Sequence, residues 1–256
     1  MRFKIYRYNE SLKKPRYDVF NVKEKPGMTI LSALFNIQEN LDDSLSFRYS
    51  CRGAVCGSCA MLINKIPRLS CRTQVSQLTN ESNKIILKPY PSIEIPSFWN
   101  QEKEILIEPL PHLKVISDLI VNMDKFYKNY NKIEPILKTS NIKTKIEQLM
   151  SPEETNKLEK YTNCILCAAC YGACPVNAKN DKYLGPAALA KLFRFYLDPR
   201  ENDHKKRLLN ANNKTGWWAC EFKTNCKLVC PKGVTPNIAI GFARNDLIKI
   251  GKKPEG

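Results

Sequence analysis

Eleven cysteines fall into three tight groups along this 256-residue chain. They are Cys51, Cys56, Cys59 and Cys71; then Cys164, Cys167, Cys170 and Cys174; then Cys220, Cys226 and Cys230. An odd count, in a chain long enough to build apolar cores, argues against a disulfide scaffold; thiols clustered at short spacing read instead as metal ligands. Ligating thiolates must be deprotonated and unoxidised, so the same reading expects a reducing compartment, either cytoplasm or an organelle matrix.

The first group is C-x4-C-x2-C followed by a fourth cysteine, the plant-type ferredoxin spacing for a 2Fe-2S cluster. Zinc ribbons favour paired C-x2-C knuckles over this loop. Gly53, Ala54, Gly57 and Ser58 are small where the backbone has to pass close to the cluster sulfurs. The second group is C-x2-C-x2-C-x3-C-P, the run of two-cluster ferredoxins, whose fourth cysteine serves the other cluster. Cys164, Cys167 and Cys170 then need a cysteine crossing back, and Cys230, followed by Pro231, has the right ending. These four make a 4Fe-4S site. Laid on the third group, the same template puts Lys223 where a cysteine is expected. Cys174, Cys220 and Cys226 remain, and three thiolates suit a 3Fe-4S cluster.

Lys223 reads in two ways. Near the deficient corner its ammonium would favour the reduced cluster by about 2 kcal/mol, at ~8 Å and an effective dielectric of ~20. Pointing into solvent, it would do nothing. The sequence has no G-x-G-x-x-G and no P-loop, so no flavin, nicotinamide or nucleotide site is expected on this chain. His112 and His204, the two histidines, read as surface or loop residues rather than a Rieske pair.

The elements that must carry these groups follow from periodicity. FKIYRY and YDVFNV alternate around a Lys-Lys-Pro turn, a hairpin signal. Met28 to Ile37 reads as a helix with Ile30, Leu34 and Ile37 on one face. The Pro-rich stretch from Lys84 to Pro111 carries three short β-like runs and ends at Pro109 and Pro111. A domain boundary is placed there, giving a strand-rich unit over 1–110 and a helical unit over 111–256. In the second unit Ser151-Pro-Glu-Glu154 is a capping box with proline in the first turn. Gly185-Pro186 and Thr235-Pro236 open two further helices.

A net charge of +16 suits an acidic partner, anionic lipid or nucleic acid. The lysines are dispersed and no nucleic-acid-binding motif accompanies them, so a solvated surface and no nucleic-acid partner are expected. No secretory signal or presequence is visible, and no apolar run is long enough to span a membrane, so a soluble chain is expected.

Read together, SFRYSCRGAVCGSCAM, PLPHLKVISDLIVNMDKFYKNYNKIEPIL, CILCAACYGACPV, DKYLGPAALAKLFRF and CPKGVTP resemble the iron-sulfur subunit of succinate dehydrogenase and fumarate reductase over nearly the whole chain. The resemblance implies an α+β protein: an N-terminal plant-type ferredoxin (β-grasp) domain, then an all-helical two-cluster ferredoxin domain. It also implies an electron-transfer subunit with no succinate site of its own. Electrons would pass between FAD on a flavoprotein partner and quinone at a membrane anchor, by way of 2Fe-2S, 4Fe-4S and 3Fe-4S clusters in that order. The subunit would then lie peripherally on the inner face of an energy-transducing membrane, prokaryotic or mitochondrial.

Some positions leave the family pattern. Pro175 is followed by Val-Asn-Ala-Lys-Asn where many members carry a Trp pair at the quinone; Glu221 stands where His is common; Lys223 stands where an apolar residue is usual. Pro175, Lys223 and Arg244 are therefore the candidates for the quinone vicinity or the 3Fe-4S environment. GWWACEFKTNC resembles the fumarate reductase side. About twenty residues around PYPSIEIPSFWNQEKE are additional to the family's first domain, and Phe98 and Trp99 are expected either in a surface hairpin or against a partner. Two other readings stay open: an iron-sulfur subunit of another dehydrogenase or heterodisulfide-reductase-type complex, and a zinc-stabilised nucleic-acid-binding protein.

Overall fold

The computed structural model describes the chain except residues 12–13, 80–86, 89–92, 101, 140–146 and 256, and the side chain of residue 79. Strands β1 (Arg2–Arg7) and β2 (Arg16–Asn21) form the expected antiparallel hairpin; Lys13 of its turn lies outside the described residues. Thr29 then caps α1 (Ile30–Asn40) through the Ser32 amide, and the Ser32 side chain accepts from the Thr29 backbone in return. That reciprocal pair starts the helix two residues after Met28. Strands β3 (Ala60–Ile63) and β4 (Ile66–Leu69), helix α2 (Val75–Thr79) and strand β5 (Glu104–Glu108) complete a five-stranded sheet of order β2-β1-β5-β3-β4. Only β1 and β5 pair in parallel. Phe3, Ile5, Ile63, Ile105 and Ile107 of the sheet pack on Ile30, Leu34 and Ile37 of α1. This is the α+β arrangement expected, with one helix held across a mixed sheet.

Of the three β-like runs read between Lys84 and Glu108, the last is a strand. The first lies largely outside the described residues. Residues 93–100 make turns and bends rather than strand, as prolines at 91 and 96 would dictate. Trp99 is a second correction: it is buried and its indole N–H donates to the Glu104 carbonyl at 2.9 Å, so it faces its own fold and not a partner. Phe98 is half-exposed, with Tyr17 against its ring and the Lys4 ammonium over it.

Beyond Leu110 a short ribbon, β6 (Val115–Ser117) with β7 (Ile120–Val121), turns back on the sheet unit. The Asp118 carboxylate accepts from the amides of Tyr8 (2.8 Å) and Ser46 (2.9 Å), and Leu119 joins the sheet core. Helices follow: α3 (Asp124–Asn131), α4 (Pro152–Thr162), α5 (Ala169–Gly172), α6 (Pro175–Lys179), α7 (Pro186–Leu197), α8 (His204–Asn210), α9 (Asn225–Leu228) and α10 (Pro236–Lys249). The Ser151–Glu154 capping box opens α4 as read. Helix α7 is buried on nearly all sides, and with Tyr183, Trp217 and the Ile240, Ala243, Leu247 face of α10 it forms the second core.

A third apolar cluster joins the two units. Leu87, Ile93, Leu110, Leu113 and Val121 come from the N-terminal side, and Ala169, Cys170, Tyr171, Cys226 and Val229 from the helical side. Cysteines of the second and third groups therefore sit at the seam. Among the described residues no helix is long and apolar enough to cross a membrane.

Candidate metal centres

All eleven cysteines are free thiols. In the first group the loop from Cys51 to Cys56 wraps round one sulfur: the amides of Gly53 (3.4 Å), Val55 (3.3 Å) and Cys56 (3.2 Å) all donate to Cys51 Sγ. Such a nest of N–H groups suits an anionic sulfur. The turn is made by Arg52 (φ 55°), Ala54 (φ 58°) and Gly57 (φ 75°) in the left-handed region. Gly53, read as one of the required small residues, is not left-handed, and a Cβ there would meet only the Cys51 carbonyl at an ordinary 3.7 Å. Gly57 is different. A Cβ on it would stand 2.9 Å from Cys167 Cβ, 2.9 Å from the Ile165 carbonyl and 3.0 Å from Cys167 Cα. The lack of a side chain there is thus demanded by the second cysteine group as well as by its own left-handed turn.

The Ser58 hydroxyl and neighbouring amides bring the Cys56 thiol down to about 6 against some burial. Burial, with the Cys59 thiol beside it, pushes Cys71 up to about 11.

The second and third groups share one backbone design. Two and four residues after the leading cysteine the chain is left-handed in both: Leu166 and Ala168 after Cys164, Phe222 and Thr224 after Cys220. One residue further on a short helix starts in both, α5 and α9. A non-glycine left-handed residue costs of order 1 kcal/mol, so two matched pairs reflect a shared requirement. In this correspondence Cys167 matches Lys223, Cys170 matches Cys226, and Cys174 matches Cys230.

Two cavities lie between the runs. Cys164, Cys167, Cys170 and Cys230 line one of about 20 Å³. Cys174, Cys220 and Cys226 line the other, also about 20 Å³, together with Tyr183, Glu221, Lys223 and Asn225. The spaces are close in size, so the number of thiols is what separates them. Burial pushes the thiols of Cys167 and Cys226 up to about 12 and that of Cys174 to about 11. A buried cluster of thiols ionises readily only when a cationic centre compensates it. Among the described residues no three His, Cys, Asp or Glu side chains converge on a point suited to one metal ion. Four thiols around one space and three around the other fit iron-sulfur clusters in the number and kind of their donors.

Lys223 is 45% exposed at the rim of the second cavity, and its ammonium lies 3.9 Å from the Glu221 carboxylate. Both readings of this lysine assumed an isolated charge; it is half of a rim pair. Arg244, on α10, donates to the carbonyls of Trp217 and Cys220, each at 2.8 Å, with the Trp218 and Phe222 rings against its guanidinium. It braces the loop that presents Cys220. Pro175 is buried at the first position of α6, directly after Cys174. His204 opens α8 with Nδ1 2.7 Å from the Tyr196 carbonyl. His112, read as a surface or loop residue, is left-handed (φ 66°) and largely enclosed; burial and the nearby Lys125 bring its imidazole down to about 4.

Asn225 was not singled out from sequence. It is buried beside Cys226 and bonds to two other chain segments. A polar residue at the position where the matching run has Ala169 is the one signal that marked it.

Comparison with known proteins adds two domain matches. Residues 2–128 match the model of a 2Fe-2S iron-sulfur cluster binding domain, and residues 160–234 that of a 4Fe-4S dicluster domain. Among solved structures, a chain of the Mycobacterium smegmatis Sdh1 complex in the apo form has a similar fold, with a TM-score of 0.80 and 19% identity. The match covers 97% of this chain and 95% of that one. A hypothetical protein from Helicobacter pylori aligns with a TM-score of 0.53 and 17% identity, covering 96% of this chain and 39% of that one. The two domain models and this shared fold support the resemblance read from the sequence.

Proposed function

Since the chain joins a 2Fe-2S iron-sulfur cluster binding domain to a 4Fe-4S dicluster domain, we propose that it is the electron-relay subunit of a succinate dehydrogenase or fumarate reductase. In this reading Cys51, Cys56, Cys59 and Cys71 hold the 2Fe-2S cluster. Cys164, Cys167, Cys170 and Cys230 hold the 4Fe-4S cluster, and Cys174, Cys220 and Cys226 the 3Fe-4S cluster. The observation that carries the reading is serial order: the first cysteine loop touches the second run at Gly57 and Cys167, and the second and third runs share two adjacent cavities.

Bound clusters supply one-electron transfer. The protein's part is to hold and tune. Amides of Gly53, Val55 and Cys56 at Cys51, of Phe222 at Cys220 (3.4 Å) and of Val234 at Cys230 (3.3 Å) stabilise negative sulfur and favour reduction. Succinate chemistry belongs to a FAD-bearing partner, and quinone chemistry to a membrane anchor beside the three-cysteine end, near Pro175, Lys223 and Arg244. The division into units near residue 110 is retained, with 111–131 as the connector touching both. The subunit lies peripherally on the inner face of its membrane.

Electron paramagnetic resonance of the native complex, reduced stepwise with succinate as one reductant, tests this. The expected result is two-iron, four-iron and three-iron signals with succinate-dependent reduction. A four-iron signal in place of the three-iron one would overturn the ligand assignment. Three clusters that succinate does not reduce would point to another dehydrogenase complex.

A further inference from the structure

Leu87 and Lys88 belong to the connection between α2 and β5, in the sheet unit, yet both reach the third cysteine group. Leu87 is buried in the apolar cluster that contains Cys170, Cys226 and Val229. The Lys88 amide donates to Asn225 Oδ1 at 3.0 Å, and Asn225 Nδ2 donates to the carbonyls of Lys88 (3.2 Å) and Ala173 (3.0 Å). Asn225 is 1% exposed, and three of the four hydrogen bonds its carboxamide can form are made. Ala173 directly precedes Cys174, and Asn225 directly precedes Cys226. One buried side chain thus ties together the segments presenting two of the three cysteines and anchors both to the backbone of the other domain. The matching position in the four-cysteine run is Ala169, so the shared backbone design does not call for an amide.

We propose that Asn225 is a positioning residue that sets the separation of Cys174 and Cys226 by fastening their segments to the Lys88 backbone. The proposal rests on reading the three-cysteine site as a cluster site. Removing the carboxamide leaves one N–H and two carbonyls without their partner in a buried seam, and the two cysteine segments are then free to part.

The test uses the purified complex and follows the oxidised three-iron signal during challenge with an iron chelator, with the two-iron signal as internal reference. Asn225→Ala is expected to lose the three-iron signal about tenfold faster, the factor equivalent to leaving one buried group unsatisfied. Lys88→Pro, which removes one donor without touching Asn225, should shift it in the same direction by less. Lys88→Ala keeps both backbone bonds and should behave as wild type. Unchanged line shape and loss rate in Asn225→Ala would overturn the proposal; if that variant does not assemble, wild-type behaviour of Lys88→Pro would overturn it. A wild-type complex with no three-iron signal would overturn the underlying reading of the site, a result distinct from either.

Discussion

The α-carbon of Gly57 is pressed against Cys167, so that a Cβ on Gly57 would lie 2.9 Å from the Cβ of Cys167. The loop of the first cysteine group and a cysteine of the second thereby share one contact across the domain boundary. Gly57→Ala adds a methyl where none fits and a left-handed φ that an L-residue resists. A loss of about 1–3 kcal/mol from overpacking is expected, with ~1 kcal/mol more from backbone strain. Because tunnelling weakens steeply with distance, electron passage between the first and second centres should also slow. Calorimetry and flash-reduction kinetics measure the two effects, and a wild-type transfer rate in this variant would show that the contact does not set the gap.

Arg244 separates two roles. If it braces the Cys220 loop, Arg244→Ala removes two charge-assisted hydrogen bonds to backbone carbonyls and costs about 3 kcal/mol. Three-iron loss in chelator should then accelerate. Arg244→Lys should be intermediate, because an ammonium does not reproduce the fork that reaches both carbonyls. A raised quinone KM with unchanged chelator resistance would instead mark a quinone contact.

The Glu221–Lys223 pair at the rim makes opposite predictions for its two members. Glu221→Gln leaves the ammonium alone beside the three-cysteine cavity and should raise the midpoint potential of that centre; Lys223→Met leaves the carboxylate and should lower it. Both groups are exposed, so shifts of no more than tens of millivolts are expected. Redox titration of the three-iron signal reads them, and equal potentials in both variants would show that the rim charges are fully screened.

Arg7 is a buried guanidinium in the inward row of β1, paired with Asp18, Asp42 and Asp118. Arg7→Met strands carboxylates in that pocket and should cost about 3–5 kcal/mol. Burial pushes the Asp42 carboxyl up, but hydrogen bonds from Ser44 and Arg7 outweigh it and hold it below the usual range. Its contribution is therefore present above the unfolded value and lost as pH falls through the lower folded value. Denaturation midpoints measured below pH 4 should show a smaller slope in Arg7→Met, where the Ser44 hydrogen bonds remain.

His112 acts in a different window. With its imidazole brought down to about 4 from an ordinary 6.5, the folded state binds fewer protons than the unfolded chain between those values. Stability should be full above the ordinary value and fall as pH drops toward 4. His112→Gln should flatten that part of the stability profile; an unchanged slope would assign it to other groups.

The sequence by itself determined the local features. Cysteine spacing within each run, the capping box at Ser151, the proline-led starts of α7 and α10 and the alternation of β1 were all legible because each depends on residues a few positions apart. It also located Lys223 at the position matching Cys167. Tertiary structure alone decided that Gly57 answers to Cys167, that Trp99 turns inward, that Arg7 is buried among three carboxylates, and that Lys88 reaches Asn225 across 137 positions. These contacts join segments whose meeting depends on how the sheet unit docks on the helices, and a residue's local pattern carries no record of the surface it will eventually press against.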